Sequence, residues 1–342
     1  MLLLSLLKLQ RAKGMYMVRT MLAVSNTPTK PALILAPMDG ITDPPFRQAV
    51  EELFGGFDYM ATGFLRVSRV APLSSAQIRA QIGDWFLADP QRLKRTILQI
   101  LASPSNTLAS SVERIAQGGV RWLDLNAGCP SKKVNAHQAG AYLLQDLAGL
   151  KQVVAAIRSN FPHFFSVKIR LGDRDDQNFS QILKIIEGEG ADAITVHCRT
   201  RRQLYGGTAN WDYLREAVNC CKIPIIASGD IFTPDDISAV VAETGCHSVM
   251  CARGAVRTPW IARCSRDSSF DLTPKQLVSY RYQLLIKVNR LMESEKVSER
   301  GRLARLKGLA SYLWDRPELE EQRRTILRSK KMGDLWELIF SP

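Results

Sequence analysis

The chain has 342 residues, a net charge of +13, 46% hydrophobic residues and 23% charged residues. That composition excludes a disordered chain, and no apolar run approaches the ~20 residues of a membrane-spanning helix. The seven cysteines contain no C-x-x-C pair, and Cys220 and Cys221 are adjacent, so no zinc site is expected and free thiols in a reducing cytoplasm are.

In chain order, residues 1–30 carry five Lys/Arg and no acid. Their short apolar start has neither preceding charge nor a clear cleavage site, so they read as a disordered leader or an over-long start assignment. Eight short apolar runs follow, at 32–38, 57–63, 96–101, 120–126, 165–171, 193–199, 223–229 and 247–253. Several are apolar on both faces, as strands covered on both sides are. Amphipathic segments lie between them at 44–54, 108–117, 147–159, 179–189, 211–220 and 235–244. Thr42 and Asp43 are candidate caps for the first, and Thr233 followed by Pro234 reads as N-cap then first helical residue. Residues 64–95 form a longer connection.

This order predicts an α/β fold, a closed (β/α)8 barrel over residues 31–265, rather than a doubly wound open sheet. From residue 271 to 342 the pattern is helical throughout. Leu277, Tyr280, Leu284 and Val288 recur at helical spacing, as do Leu303, Leu306, Ala310 and Leu313. Arg300, Arg302, Arg305 and Lys307 interleave with the second set and predict one basic helix face. Residues 31–270 are nearly neutral while both ends are basic, a pattern that fits a polyanionic partner such as nucleic acid, and equally a solvated basic face.

In such barrels the active site lies at the C-terminal ends of the strands. The polar residues there are Asp39, Gln99, Asp124, Asn126, Lys168, Arg170, His197, Arg199, Ser228, Asp230 and Arg253. The loops after strands seven and eight commonly bind phosphate in this fold, and small residues there with Arg253 predict a phosphorylated cofactor. Gln99 offers an amide suited to a ring edge. A lysine inside a strand is costly to bury, which singles out Lys168, and His197 ends a strand. Arg170 is expected to pair with a neighbouring acid, and Asp124 reads as structural. Cys129, in a Gly-Cys-Pro-Ser loop after strand four, is the sharpest candidate, because a thiol there can give a proton to carbon or act as a nucleophile.

Four segments carry a family resemblance: Ala36-Pro37-Met38-Asp39-Gly40-Ile41-Thr42-Asp43, Asp124-Leu125-Asn126-Ala127-Gly128-Cys129-Pro130-Ser131-Lys132-Lys133, Val167-Lys168-Ile169-Arg170-Leu171-Gly172 and His197-Cys198-Arg199-Thr200. Over about residues 31–265, and more weakly beyond, the chain resembles the tRNA-dihydrouridine synthases. Thr62-Gly63-Phe64-Leu65-Arg66-Val67 and residues 305–313 look closest to the bacterial C type, which acts on uridine 16. The resemblance implies FMN over the barrel mouth, NADPH or NADH as reductant, and Cys129 as the proton donor. It implies flavin contacts from Pro37, Met38, Asp39, Gln99, Lys168, His197, Ser228, Gly229, Asp230, Ala252 and Arg253. It implies tRNA contacts from Arg66, Asn126, Lys132 and Arg199, with residues 271–342 as a tRNA-binding domain.

The implied protein is a cytoplasmic monomer without metal or membrane. The chain departs from the family pattern at Ser228 (usually Asn), Ala252 (usually Gly), Gly63 (usually Glu) and Ala136-His137-Gln138 (usually Gly-rich). Three other readings remain at this stage: a flavin reductase of free pyrimidines, a Schiff-base aldolase using Lys168, and a degenerate RNA-binding paralogue without activity.

Overall fold

A computed structural model describes residues 30–270 and 272–340, so all of the expected leader but Lys30 lies outside the described residues. Eight strands form the barrel: β1 (Ala32–Leu35), β2 (Tyr59–Arg66), β3 (Thr96–Leu101), β4 (Trp122–Ala127), β5 (Phe164–Arg170), β6 (Ala193–His197), β7 (Ile225–Ser228) and β8 (Ser248–Cys251). Each pairs in parallel with the next, and β8 pairs with β1 to close the ring.

Period-two alternation decides what each strand offers to either side. On β5, Phe165, Val167 and Ile169 face the helices and join the main apolar core, while Phe164, Ser166, Lys168 and Arg170 alternate with them on the barrel side. On β4, Leu123 and Leu125 face out, leaving Trp122, Asp124 and Asn126 inside. The floor of the interior is apolar. The Trp122 and Phe164 rings lie 4.4 Å apart and Tyr59 and Trp122 4.8 Å apart, packed with Ile34, Ile97, Ile226 and Met250. The next inward positions up β4 and β5, Asp124 and Ser166, are polar and fully enclosed.

Several strands differ from their expected spans for visible reasons. β1 stops at Leu35; Ala36 still donates to the Cys251 carbonyl at 2.9 Å, but Pro37 has no N–H to continue the ladder. β7 begins only after Pro224. β2 runs on to Arg66, because a register shift between Ala61 and Phe64 re-pairs Phe64 with Gln99 and Arg66 with Leu101. The connection expected at 64–95 is therefore shorter, and it folds into helices Ser75–Ile82, Asp84–Leu87 and Pro90–Lys94. The other segments form helices close to expectation, with Thr233 capping Pro234–Thr244 in a capping box with Asp236.

Residues 272–340 are helical, with long helices Pro274–Ser294 and Glu299–Leu313 followed by Glu320–Arg328 and Met332–Phe340. Their buried residues Leu284, Leu285, Val288, Leu306, Leu309 and Leu313 belong to the same apolar core as the barrel's outer layer. The expected basic face on Glu299–Leu313 is not formed. Arg305 is 12% exposed and donates to Asp43 at 2.5 Å and to the Ile41 carbonyl. Arg302 pairs with Glu293 at 2.9 Å, and Lys307 donates to the Ser329 carbonyl at 2.7 Å. Only Arg300 of that set is exposed. The cations serve to dock the helices, because a charge entering a packed interface needs a partner.

Asp43 joins two of these features. Its Oδ1 accepts from the Phe46 N–H to cap helix Pro44–Leu53, and its Oδ2 takes Arg305. Asp43→Ala should lower stability by about 1–2 kcal/mol in urea titrations. Asp43→Asn, which keeps a capping oxygen, should lose less than about 1 kcal/mol.

Candidate active site

A cavity of about 350 Å³ opens at the C-terminal ends of the strands. A larger one, about 630 Å³, lies at the flank against helix Pro44–Leu53 and is lined by Asp43, Arg79, Glu295 and Arg305. The larger cavity holds none of the candidate residues and lies away from the strand ends, so the smaller cavity is the candidate site.

Period-two spacing brings most of the expected residues together there. Pro37, Met38 and Asp39 follow β1 and line one side, while Ser228, Gly229, Asp230, Ala252 and Arg253 follow β7 and β8 and line the other. Lys168, His197, Asn126 and Cys129 line it between them. The Cys129 loop is pinned from several directions. The Asn126 side-chain oxygen accepts from the Gly128 and Cys129 N–H groups at 3.0 and 2.9 Å. Asn135 donates to the Cys129 carbonyl at 2.9 Å. Gly140, at φ +64°, packs so closely behind that a Cβ would stand 3.0 Å from that of Cys129.

Four expected residues are not brought to the cavity. Gln99 is fully enclosed one layer below, and its amide bonds to Asp124 and Asn126. Lys132 is exposed on short helix Lys132–Asn135, and half-buried Arg66 acts on Cys129 through charge. Arg199 corrects the expectation outright. It is 1% exposed, grips both Asp230 oxygens at 2.9 and 2.6 Å, and donates to the Gly206 and Gly207 carbonyls. Among the described residues Arg170 has no acid partner; it donates to the carbonyls of Gly128, Thr200 and Leu204, tying the Cys129 loop to the loop after β6. His137 is exposed and outside the cavity lining, and Gln138 beside it takes Arg69 at 2.6 Å.

The electrostatics divide the groups by role. Burial, and then Arg170, push the Lys168 ammonium down to about 8 against the pull of Asp124. Burial and the surrounding cations, Lys168 first, hold His197 well below its usual range, so its imidazole is neutral at pH 7. Burial raises the Cys129 thiol, with Asp39 adding to it and the Ser131 N–H, Arg170 and Arg66 opposing. A thiol so raised stays protonated at neutral pH, which suits an acid rather than a thiolate nucleophile. Burial acts to raise the Asp230 carboxyl. The Arg199 hydrogen bonds, the Ala209 N–H and the charges of Arg199 and Arg253 prevail and hold it below its usual value.

Sequence reasoning missed the aromatic rim. Tyr205 is 54% exposed, with its ring 6.2 Å from that of His197 and the Arg253 guanidinium 5.1 Å over its face. Its place before Gly206-Gly207 in the loop after β6 was the available signal. Tyr312 also lines the cavity. It comes from helix Glu299–Leu313, and nothing in its helical spacing marks it.

Among the described residues, no helix is long and apolar enough to cross a membrane, and no group of three or more His, Cys, Asp or Glu could hold a metal ion.

Comparison with known proteins gives consistent matches. A family model described as dihydrouridine synthase (Dus) matches residues 34–338. The tRNA-dihydrouridine synthase B of Pseudomonas aeruginosa is 34% identical over 232 residues, 68% of this chain and 68% of that protein. The tRNA-dihydrouridine(16) synthase of Neisseria meningitidis serogroup B is 31% identical over 241 residues, 68% of this chain and 71% of that one. The tRNA-dihydrouridine(16) synthase of Cupriavidus necator is 31% identical over 277 residues, 78% and 85% of the two chains.

The low Lys168 value has a stability consequence. The folded chain sheds this proton near pH 8, whereas the unfolded chain keeps it to about pH 10.4. Stability from this site therefore rises as pH climbs between those values. Lys168→Met should stabilise the unliganded protein at pH 7 by on the order of 2 kcal/mol, a gain that fades toward pH 10. Urea titration at the two pH values measures it.

Proposed function

From a chain that belongs to the dihydrouridine synthase family, we infer an enzyme that reduces the C5–C6 double bond of uridine 16 in tRNA, using FMN and NADPH or NADH. The reaction class is oxidoreduction at a carbon–carbon double bond in tRNA. The single observation that carries the site reading is the convergence of Cys129, Lys168 and His197 on one cavity at the strand ends.

The residues present fit a flavin phosphate. Lys168 and Arg253 supply positive charge, and Gly229, at φ +114°, has no room for a side chain, since a Cβ would stand 3.0 Å from the His197 ring. Met38, Met250 and Phe64 give apolar walls for a flat ring. Pro37, Asp39, Ser228, Asp230 and Ala252 complete the lining, and Gln99 would act from the layer below. An FMN held by these residues would supply the hydride for C6 of the uracil.

The chain's own groups do the rest. Cys129, protonated because it is buried, gives its proton to C5. Neutral His197 can donate one N–H without adding charge. Lys168 carries its ammonium below about pH 8, where it can balance a bound anion.

The target base must leave its stack to enter a cavity of this size, so RNA needs a docking surface outside it. Residues 271–342 are proposed to supply it. The exposed cations Arg328, Lys330 and Lys331 take the place of the expected face on Glu299–Leu313. Arg66, Asn126 and Lys132 are proposed contacts nearer the mouth. Position 16 rests on residues 62–67 and 305–313, since relatives named for uridine 16 and relatives named B match at similar identity.

Cys129→Ala should retain the yellow flavin spectrum and lose about 100-fold or more in turnover on tRNA. Unchanged turnover would remove Cys129 from the reaction. Deleting the gene should abolish dihydrouridine at tRNA position 16 alone, read by mapping the modification. Loss at another position would overturn the subtype. Reduction of free uracil as fast as of tRNA would point to the small-molecule reductase instead.

A further inference from the structure

Beneath the mouth, five side chains and two backbone N–H groups form one unbroken hydrogen-bonded chain whose direction is fixed. The Trp122 indole N–H donates to Ser166 Oγ at 2.9 Å, and Ser166 Oγ donates to Asp124 Oδ1 at 2.5 Å. From the other side, Gln99 Nε2 donates to Asp124 Oδ2 at 2.7 Å, and Asn126 Nδ2 donates to Gln99 Oε1 at 2.8 Å. Asn126 Oδ1 then accepts from the Gly128 and Cys129 backbone N–H groups. Trp122, Ser166, Asp124 and Gln99 are all buried.

Both ends of this chain are groups that can only donate, an indole N–H and two backbone N–H groups. Amides and hydroxyls pass the direction along, each accepting on one side and donating on the other. Two donor-led arms can meet only at a member that accepts on both sides and donates on neither. An ionised carboxylate is that member. An amide turned the wrong way in such a place leaves a donor facing a donor, and a buried unmade bond is costly.

We propose that Asp124 is a positioning residue for the Cys129 loop: as the acceptor-only centre of this relay, it fixes the orientation of the Gln99 and Asn126 amides and so holds the N–H groups that anchor Cys129. Turning the Gln99 amide over would point its NH2 at that of Asn126. Asn126 would turn in response and withdraw the oxygen that holds the loop. Lys168, across the strand pair from Asn126, is the other charge acting on Asp124. Its role toward a bound anion is separate from the relay. The functional importance of this positioning rests on the reading of Cys129 as the proton donor, but the positioning itself does not.

The experiment uses the purified full-length chain. The readouts are the rate at which iodoacetamide labels Cys129, followed by peptide mass spectrometry, and the kcat and KM on tRNA. Asp124→Leu removes the centre in nearly the same volume. It should speed labelling of Cys129 about fivefold or more and lower kcat by at least tenfold, with KM for tRNA within about threefold.

Gln99→Glu alone sets two carboxylates against each other and should disturb labelling in the same direction. Adding Asp124→Asn to Gln99→Glu moves the acceptor-only member one place along the relay. Ser166 then donates to the oxygen of the introduced amide, and the introduced carboxylate accepts from that amide on one side and from Asn126 on the other. Labelling should return to within about twofold of the parent rate. This pair keeps the test decisive if Asp124→Leu does not fold.

Labelling by Asp124→Leu within twofold of the parent, or a double variant no closer to the parent than Gln99→Glu, overturns the proposal. If Cys129→Ala stays active while Asp124→Leu still speeds labelling, the relay stands and the proton-donor reading falls.

Discussion

Closing eight parallel strands into a ring leaves half of every strand's side chains no direction but inward. That constraint governs everything at the mouth. Because β4 and β5 alternate, Trp122 and Phe164 fill the floor, Asp124 and Ser166 occupy the level above, and Asn126 and Lys168 reach the opening. The interior thus changes from apolar to polar along the barrel axis within three side-chain layers. A lysine can be tolerated at the top because it has an outlet toward solvent and a carboxylate beneath it.

The mouth gathers more positive charge than its acids neutralise, and the fold handles the excess with backbone. Arg170 is held by three carbonyls. Arg199 is held by two carbonyls and by Asp230, which also takes Arg253 and has a left-handed backbone at φ +54°. Burial first, and then the remaining imbalance, keeps His197 neutral and makes Lys168 easily deprotonated. A cavity with this field favours an anionic guest, and in it burial outweighs the Ser131 N–H and the nearby guanidinium groups and leaves the Cys129 thiol above its ordinary value.

The barrel was legible because its evidence is local and repeated: a short apolar run, a capped amphipathic helix, and again. The strand-end residues followed from the fold alone, which is why Cys129, Lys168 and His197 could be named in advance. What failed was anything set by partners distant in sequence. Arg199 reads like an exposed strand-end cation, and only the return of the chain at Asp230 buries it. Arg305 reads like one member of a basic face, and only helix Pro44–Leu53, some 260 residues earlier, turns it inward. Gln99 was placed at the mouth because only its pairing with Asp124, 25 residues further on, sets it one layer below Asn126. Tyr312 could not be foreseen for the same reason.

Tyr312 reaches the cavity from a helix that shares its apolar core with the barrel and is fastened to it by Arg305–Asp43, while Lys287–Glu52 and Arg257–Asp315 fasten the preceding helix and the segment that follows. The tail is therefore not a module that evolution or an engineer can exchange at a linker. A chimera joining this barrel to a relative's tail must find in that tail cations to meet Asp43 and Glu52 and an acid to meet Arg257, or it reshapes the wall of its own reaction chamber.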